Sequence, residues 1–330
     1  TASDNIDGPR ISRPVFVLHP IPEPILPPSV TSQDDQRRFS GAESSGLALG
    51  IGAFLIWSFT PFYFDAVQTL GVIEIVAHRF LWCIPFMAIV LTIAGQWPDL
   101  LAALLTPRVL ATLFLTALLI AVNWSMFIFT VVTDQLLASS LGYFLSPLLN
   151  VLLGFVVLRE HLSNGQRVAV GLAAIGVGIQ VVAFGQVPWI ALVIAFSFGS
   201  YGLLRKTVAA GPAVGLFVEC IMVAPFAALA LIWFYEHGTG SFGQFGFHFD
   251  ALIAFAGVVT GLPLLMFAAA ARRVQLATIG LMQYIAPSFY LIFALTFFPQ
   301  PFGTAEIVTF AFIWLALIIY TAELFRTRIV

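Results

Sequence analysis

The sequence predicts an all-α membrane protein of ten transmembrane helices, arranged as two inverted five-helix repeats. Three observations lead to this fold class. The 330 residues are 60% hydrophobic and 9% charged, whereas soluble domains carry about 25% charged residues. Ten apolar runs follow residue 45, and each is long enough to cross the ~30 Å hydrocarbon core of a bilayer. The first five runs match the last five at a shift of 140 residues.

Residues 1–45 differ in composition from the rest of the chain. Prolines recur between Pro9 and Pro28, and a charged cluster follows at 34–38. The prolines interrupt every short apolar stretch, so no signal-peptide core is present. We therefore predict a disordered, Pro-rich cytoplasmic tail over 1–45, and a short cytoplasmic tail over 324–330.

The apolar runs between these tails are predicted to be helices. A membrane barrel would show short strands of alternating polarity, whereas these runs are continuously apolar. The predicted spans are 46–64, 72–94, 109–132, 136–158, 168–184, 188–204, 212–234, 251–271, 276–298 and 305–322.

The basic residues of the short loops predict the orientation. Lys and Arg occur in alternate loops only; the intervening loops at 65–71, 133–135, 185–187, 235–250 and 299–304 contain neither. Because basic loops remain on the cytoplasmic side, both termini are predicted to be cytoplasmic. The predicted location is the bacterial inner (plasma) membrane, as a multi-pass protein.

The internal repeat predicts how the two halves are related. Under the 140-residue shift the aligned identities include Gly71 with Gly211, Pro85 with Pro225, Met126 with Met266, Leu136 with Leu276 and Pro147 with Pro287. The halves are 46–184 and 185–323. Each holds five spans, an odd number, so the second half crosses the membrane in the opposite sense. Inverted repeats are typical of secondary transporters, whose substrate site lies between the halves near the midplane.

Arg79 is the one basic residue deep inside an apolar run. An arginine at that depth costs about 2.5–3.5 kcal/mol on insertion scales. The repeat aligns Arg79 with Glu219, and we predict that the two charges face one cavity and pair directly, through water or through a ligand. The alternative is that Glu219 or Arg79 pairs with backbone carbonyls and only holds helices together.

Polar stripes at helical spacing indicate the other cavity residues. Glu74 and His78 are four residues apart and Trp82 continues their face. Similar stripes run along spans three, four and nine, where Ser and Thr are instead expected to join helices. The predicted substrate-binding residues are Arg79, Glu74, His78, Trp82, Asn123, Trp124, Tyr143, Asn150, Tyr201, Glu219, Gln283 and Tyr284.

Prolines and glycines within the spans carry structural predictions. Helix-interior prolines suit either a gating helix or a static kink, and they are Pro61, Pro147, Pro263 and Pro287. Small residues that allow close packing or a homodimer face are Gly171, Gly176, Gly178 and the pair Gly257 and Gly261.

Several function classes lack their sequence signals. There is no phosphate-binding loop, no His-Glu-x-x-His and no Cys-x-x-Cys, and the two cysteines lie in apolar runs. No cofactor or metal is therefore predicted, and the protein is not expected to be an enzyme. The net charge of −2 gives no attraction to nucleic acid.

Taken together, several motifs resemble the EamA group of the drug/metabolite transporter superfamily, in particular its chloramphenicol-sensitivity type. They are Glu74…His78-Arg79…Trp82, Asn123-Trp124, Ala138–Tyr143…Pro147-Leu148…Asn150, Ser197…Tyr201-Gly202…Arg205-Lys206, Glu219…Pro225, Thr260…Pro263-Leu264 and Gln283-Tyr284-Ile285…Pro287. The resemblance implies ten helices in two EamA repeats and a transport role, without settling the substrate. The chain departs from the group at Cys83 and at Ser146. It also has Gln300 where an acidic residue is usual, and the corresponding acidic residue is present only in the first repeat, as Glu160.

We therefore predict a secondary active transporter of a small organic metabolite or drug-like solute, working by alternating access within the lipid bilayer. Arg79 is predicted to contact an anionic group. Glu74, His78 and Glu219 are the candidates for proton coupling. Two rival hypotheses are a structural or assembly subunit, in which Arg79 and Glu219 form a locked pair, and a membrane-embedded enzyme.

Overall fold

The computed structural model describes residues 33–158, 162–271, 273–274 and 282–326. The chain divides into two compact units, residues 1–40 and 41–330. In the first unit only the backbone of 33–40 is described, as the first turns of a helix. All that follows concerns the second unit.

The described residues form α-helices and no strand, as predicted. The helices, numbered in chain order, are α1 Gln33–Ser58, α2 Thr60–Ala66, α3 Val72–Ala94, α4 Trp97–Leu104, α5 Pro107–Val132, α6 Leu136–Leu158, α7 Asn164–Phe184, α8 Trp189–Thr207, α9 Pro212–Glu236, α10 Phe247–Ala254, α11 Ala256–Ala271, α12 Ile285–Thr296 and α13 Thr304–Arg326.

Length and composition identify the helices able to cross a membrane. In the described part of the chain, eight helical segments are long and apolar enough to do so. Two shorter apolar helices, Trp189–Arg205 and Ile285–Thr296, fall where the sixth and ninth spans are predicted. The protein is thus a multi-pass helical membrane protein. The count of ten spans stays a prediction, because the start of the ninth, at 276–281, is outside the described residues.

The first predicted span differs from expectation in its start and in an internal break. Helix α1 begins at Gln33, ahead of the predicted boundary at 46, because no proline follows Pro28 to interrupt it. The span then breaks at Phe59 into α1 and α2. Pro61 has no backbone N–H, so it cannot bond the carbonyl of Trp57 four residues earlier. The predicted tail residues 1–32 are outside the described residues.

Helices that the repeat aligns with each other pack against one another. Three such pairs are in contact: α3 with α9, α6 with α12, and α7 with α13. Helix α3 also packs against α11, and α8 packs against α5 and α6. Helix α3 therefore has neighbours from the second half of the chain, α9 and α11, and it also contacts α5 from the first half.

Two glycines bring α11 close to α3. A Cβ added at Gly257 would collide with the backbone carbonyl of Trp82, and one at Gly261 would collide with the ring of Phe86. The predicted close packing of this pair is therefore internal to the chain. By contrast, a Cβ at Gly171 meets nothing within 4 Å, so a homodimer through α7 stays a prediction.

The alanine variant of Gly257 tests this packing. We expect Gly257→Ala to destabilise the protein by about 1–3 kcal/mol, the usual cost of overpacking, because a backbone carbonyl cannot rotate away. Gly171→Ala is the matched control, since both changes raise helix propensity by about 1 kcal/mol. Thermal unfolding in detergent measures the difference. Equal melting temperatures for the two variants would refute the close α3–α11 contact.

Candidate cavity site

A cavity of about 90 Å³ lies among helices of both halves of the chain. This is room for roughly half a dozen water molecules. Nine of the nineteen described lining residues are aromatic, and Arg79 is the one charged member among them. The lining residues are Phe54, Trp57, Thr60, Phe64, Arg79, Ile120, Asn123, Trp124, Phe127, Tyr143, Ser146, Phe198, Tyr201, Thr260, Leu264, Gln283, Ala286, Pro287 and Tyr290.

Arg79 is held in the cavity wall by uncharged groups. Its Nε donates to Thr260 Oγ1 over 3.0 Å, and its guanidinium carbon lies 4.1 Å from the centre of the Trp124 ring and 5.0 Å from that of Phe64. The side chain is 5% exposed, and its Nη1 is buried without a hydrogen-bond partner. Cation–π contact offsets the buried charge by about 2 kcal/mol. The Nη1 group of this buried cation is therefore left without an acceptor.

Asn123 is a second polar residue of the described cavity lining. Its amide nitrogen donates to the Ile194 carbonyl (3.1 Å) and to Ser197 Oγ (3.2 Å), and its oxygen accepts from the Tyr143 hydroxyl (2.9 Å). The residue is 1% exposed. Its position in the cavity agrees with the sequence prediction. Its polar groups are, however, already hydrogen-bonded to residues of α6 and α8.

Tyr290 ties α12 to the break between α1 and α2. Its hydroxyl donates to the Trp57 carbonyl (3.1 Å), and Thr60 Oγ1 donates to the same carbonyl (2.6 Å). This is the carbonyl that Pro61 leaves without a helical bond. The proline's position could have indicated a free acceptor here, but not that a tyrosine from α12 would reach it.

Not all of the remaining predicted cavity residues line the cavity. Trp124, Tyr201 and Gln283 line the cavity. Tyr284 does not; it is half-buried against Phe144, with ring centres 6.4 Å apart. The side chain of Asn150 is outside the described residues, as is Glu160.

Glu219 corrects the predicted direct pairing with Arg79. In the described structure its carboxylate forms an ion pair with Arg205 instead, with 3.7 Å between Glu219 Oε1 and Arg205 Nε. It also accepts hydrogen bonds from Thr116 (2.7 Å) and, at 3.4 Å, from Tyr201. Glu219 is fully buried and is not among the cavity-lining residues.

The pairing with Arg205 was not predicted, because this residue follows the sixth predicted span and was interpreted only as part of a basic cytoplasmic loop. The side chain lies back along α9, where Gly215 has no Cβ to exclude the guanidinium. Its Nη2 donates to the Pro212 carbonyl (3.2 Å), and its Nη1 is buried without a partner. Long basic side chains near a helix end often extend several ångströms from their backbone, which is the signal that could have suggested this pairing.

The face of α3 that carries Glu74, His78 and Trp82 does not line the cavity. Glu74 accepts hydrogen bonds from the Ser241 backbone N–H (2.7 Å) and hydroxyl (3.3 Å). The rings of His78 and Trp82 lie 5.3 Å and 6.1 Å from that of Phe242. The structure thus places all three residues against the loop between α9 and α10.

Removing the Glu74 carboxylate tests whether it anchors this loop. We expect Glu74→Ala to speed hydrogen exchange at the Ser241 amide by about tenfold or more, since a hydrogen bond to a charged group contributes roughly 1.5–3 kcal/mol. Glu306→Ala is the matched control, because the hydrogen bond of Glu306 in the described part of the chain is a local one, accepted from the Gly303 N–H (2.9 Å). Unchanged exchange at Ser241 in the Glu74 variant would contradict the anchoring role.

The fold and the cavity define the class of protein: a multi-pass helical membrane protein with an internal charged cavity, an arrangement typical of transporters. A model of the EamA-like transporter family matches residues 44–182. The sequence is also 42% identical to an uncharacterized transporter of Vibrio cholerae over 84% of this chain and 92% of that protein. It is 40% identical to Protein RarD of Salmonella typhi over 86% of this chain and 96% of that protein.

The chain belongs to the EamA-like transporter family, within the drug/metabolite transporter superfamily. A solved crystal structure shares the fold, with a TM-score of 0.56 at 19% identity, over 85% of this chain and 98% of the other. The resemblance predicted from the motifs is confirmed.

Proposed function

We propose that this protein is a secondary active transporter of the bacterial inner membrane, which moves a small anionic organic solute by alternating access. One observation carries the proposal. The cavity between the two halves contains a buried guanidinium, Arg79, which has no carboxylate partner among the described residues and one unused donor. An unpaired buried charge is costly, so a solute that supplies the counter-charge is bound selectively.

Alternating access is supported by the helix pairs that contact across the halves. Rocking two inverted repeats about a shared site would change which side of the cavity is open. The contacts of α3 with α9, α6 with α12 and α7 with α13 join aligned helices, as such an axis requires. Both termini are then cytoplasmic, and Arg205 with Glu219 lies on the cytoplasmic side of Arg79.

The rival assembly-subunit hypothesis assumed a locked Arg79–Glu219 pair. Each of these charges instead has other partners in the described structure: Thr260 with the aromatic rings for Arg79, and Arg205 with Thr116 and Tyr201 for Glu219. The observation that motivated this rival therefore does not hold, and transport is the better supported function.

Solute exchange in liposomes tests the proposal. Metabolites that accumulate in a deletion strain would be loaded into vesicles containing the purified protein, with and without a proton gradient. We expect saturable uptake that is accelerated by the same solute on the opposite side, because a carrier must return its site. Vesicles that exchange none of these solutes faster than protein-free vesicles would contradict the proposed function.

A further inference from the structure

We infer that the solute is a monocarboxylate with an apolar body, because Arg79 is the one charge in a described lining of which nine of nineteen residues are aromatic. This inference rests on the proposed transport function and specifies its substrate class. It also excludes two common groups of metabolites from the site, amino acids and dicarboxylates.

Charge balance excludes these two groups. The described lining holds one positive charge, that of Arg79, and no Asp, Glu or Lys. A monocarboxylate neutralises this charge, and guanidinium is well suited to a planar carboxylate. A dicarboxylate would leave one buried negative charge, and an amino acid would leave one buried ammonium. Either uncompensated charge is costly in an apolar interior.

The charged pair of Glu219 and Arg205 adjoins the cavity through Tyr201, which lines the cavity and donates to Glu219. The Glu219 carboxylate already has Arg205, Thr116 and Tyr201 as partners and does not line the cavity, so it is not placed to receive a solute ammonium. Arg205 has a buried Nη1 without a partner, but it is not among the cavity-lining residues and its charge is already balanced by Glu219. A second charge on the solute would therefore stay unpaired in the cavity, whereas a single carboxylate is balanced by Arg79.

The other polar groups of the wall give little to a second polar substituent. The Asn123 amide is engaged with Ile194, Ser197 and Tyr143, and Ser146 Oγ donates to the Gly142 carbonyl (3.1 Å). The surfaces left for the body of the solute are rings and aliphatic side chains such as Leu264, together with the Gln283 amide. The rings contribute large apolar contact and prefer offset or edge-on stacking.

The cavity volume sets how such a body is accommodated. About 90 Å³ is less than the ~150 Å³ cavity known to hold benzene. A carboxylate with an aromatic ring therefore binds with displacement of the lining rings, as expected of a site that opens and closes. Smaller branched aliphatic carboxylates need less displacement.

A matched ligand series tests the substrate class by binding alone. The probe is 3-phenylpropanoate, compared with its neutral amide, with phenylalanine, which adds an α-ammonium, and with benzylmalonate, which adds a second carboxylate. Dissociation constants are measured by calorimetry or thermal shift on purified wild-type protein. We expect the monocarboxylate to bind at least about tenfold more tightly than the other three, the change expected from one charged hydrogen bond.

The outcomes separate this inference from the proposed function. Tighter binding of phenylalanine or benzylmalonate would overturn the monocarboxylate class, and preference for the amide would overturn the role of charge. If none of the four binds, 3-methylbutanoate against valine and isopropylmalonate repeats the comparison with a smaller body, and equal or absent binding there overturns the inference. Exchange of other solutes in the liposome assay would leave the transport function standing in each case.

Discussion

Arg79→Gln is expected to abolish transport and to leave the apparent melting temperature unchanged or raised. The two effects have one cause. The variant loses the charge that attracts the solute, worth about tenfold to a hundredfold in binding. It also relieves the protein of a buried charge without an ionic partner among the described residues, and such replacements are often neutral or stabilising. Liposome exchange and thermal unfolding of the same preparation measure the two effects.

Arg108→Gln is the matched control, because Arg108 is exposed at the start of α5. We expect it to transport at the wild-type rate. A purely structural Arg79 would give the opposite pattern, with a large loss of stability in Arg79→Gln and a transport rate that follows the amount of folded protein. That result would exclude Arg79 as a solute contact.

Arg205→Met is expected to destabilise the protein by about 3–5 kcal/mol, the cost of leaving a buried ion unpaired. Glu219→Gln is expected to cost only about 1 kcal/mol. The asymmetry follows from exposure. Glu219 is 0% exposed, whereas the Arg205 side chain is 14% exposed and reaches water when its partner is removed. A glutamine also keeps an oxygen for Thr116 and Tyr201.

The double variant Arg205→Met with Glu219→Gln identifies the source of the loss. We expect it to be more stable than Arg205→Met alone, because no carboxylate remains to be buried. Chemical unfolding curves of the three variants measure the coupling. If the double variant loses the sum of the two single losses, Arg205 and Glu219 do not interact energetically.

Much of the fold could be predicted from the sequence because membrane insertion is decided locally. The cost of placing each residue in hydrocarbon adds along a run of about 20 residues. The predicted second span, 72–94, coincides with α3 for this reason. The break at Phe59 was not predicted. Pro61 was recognised as a kink, but whether a proline bends or divides a helix depends on the groups that bond its free carbonyl.

The candidate site was predicted only in part. Arg79, Asn123, Trp124, Tyr143, Tyr201 and Gln283 do share one cavity. Glu74, on the same helix as Arg79, faces a loop instead. Successive helix positions turn by about 100°, so nearby residues on one helix point to different neighbours, and helical spacing does not say which neighbour each face meets.

The sequence by itself determined that this is a multi-pass helical protein and that one arginine lies deep within a span, because both follow from the sum of residue polarities along the chain. Only the tertiary structure decided the partners of the charges. Arg79 lies between Trp124 and Phe64, and Glu219 pairs with Arg205. The rotation of each helix about its axis, and the direction in which a long basic side chain extends, are set by packing between helices distant in the chain.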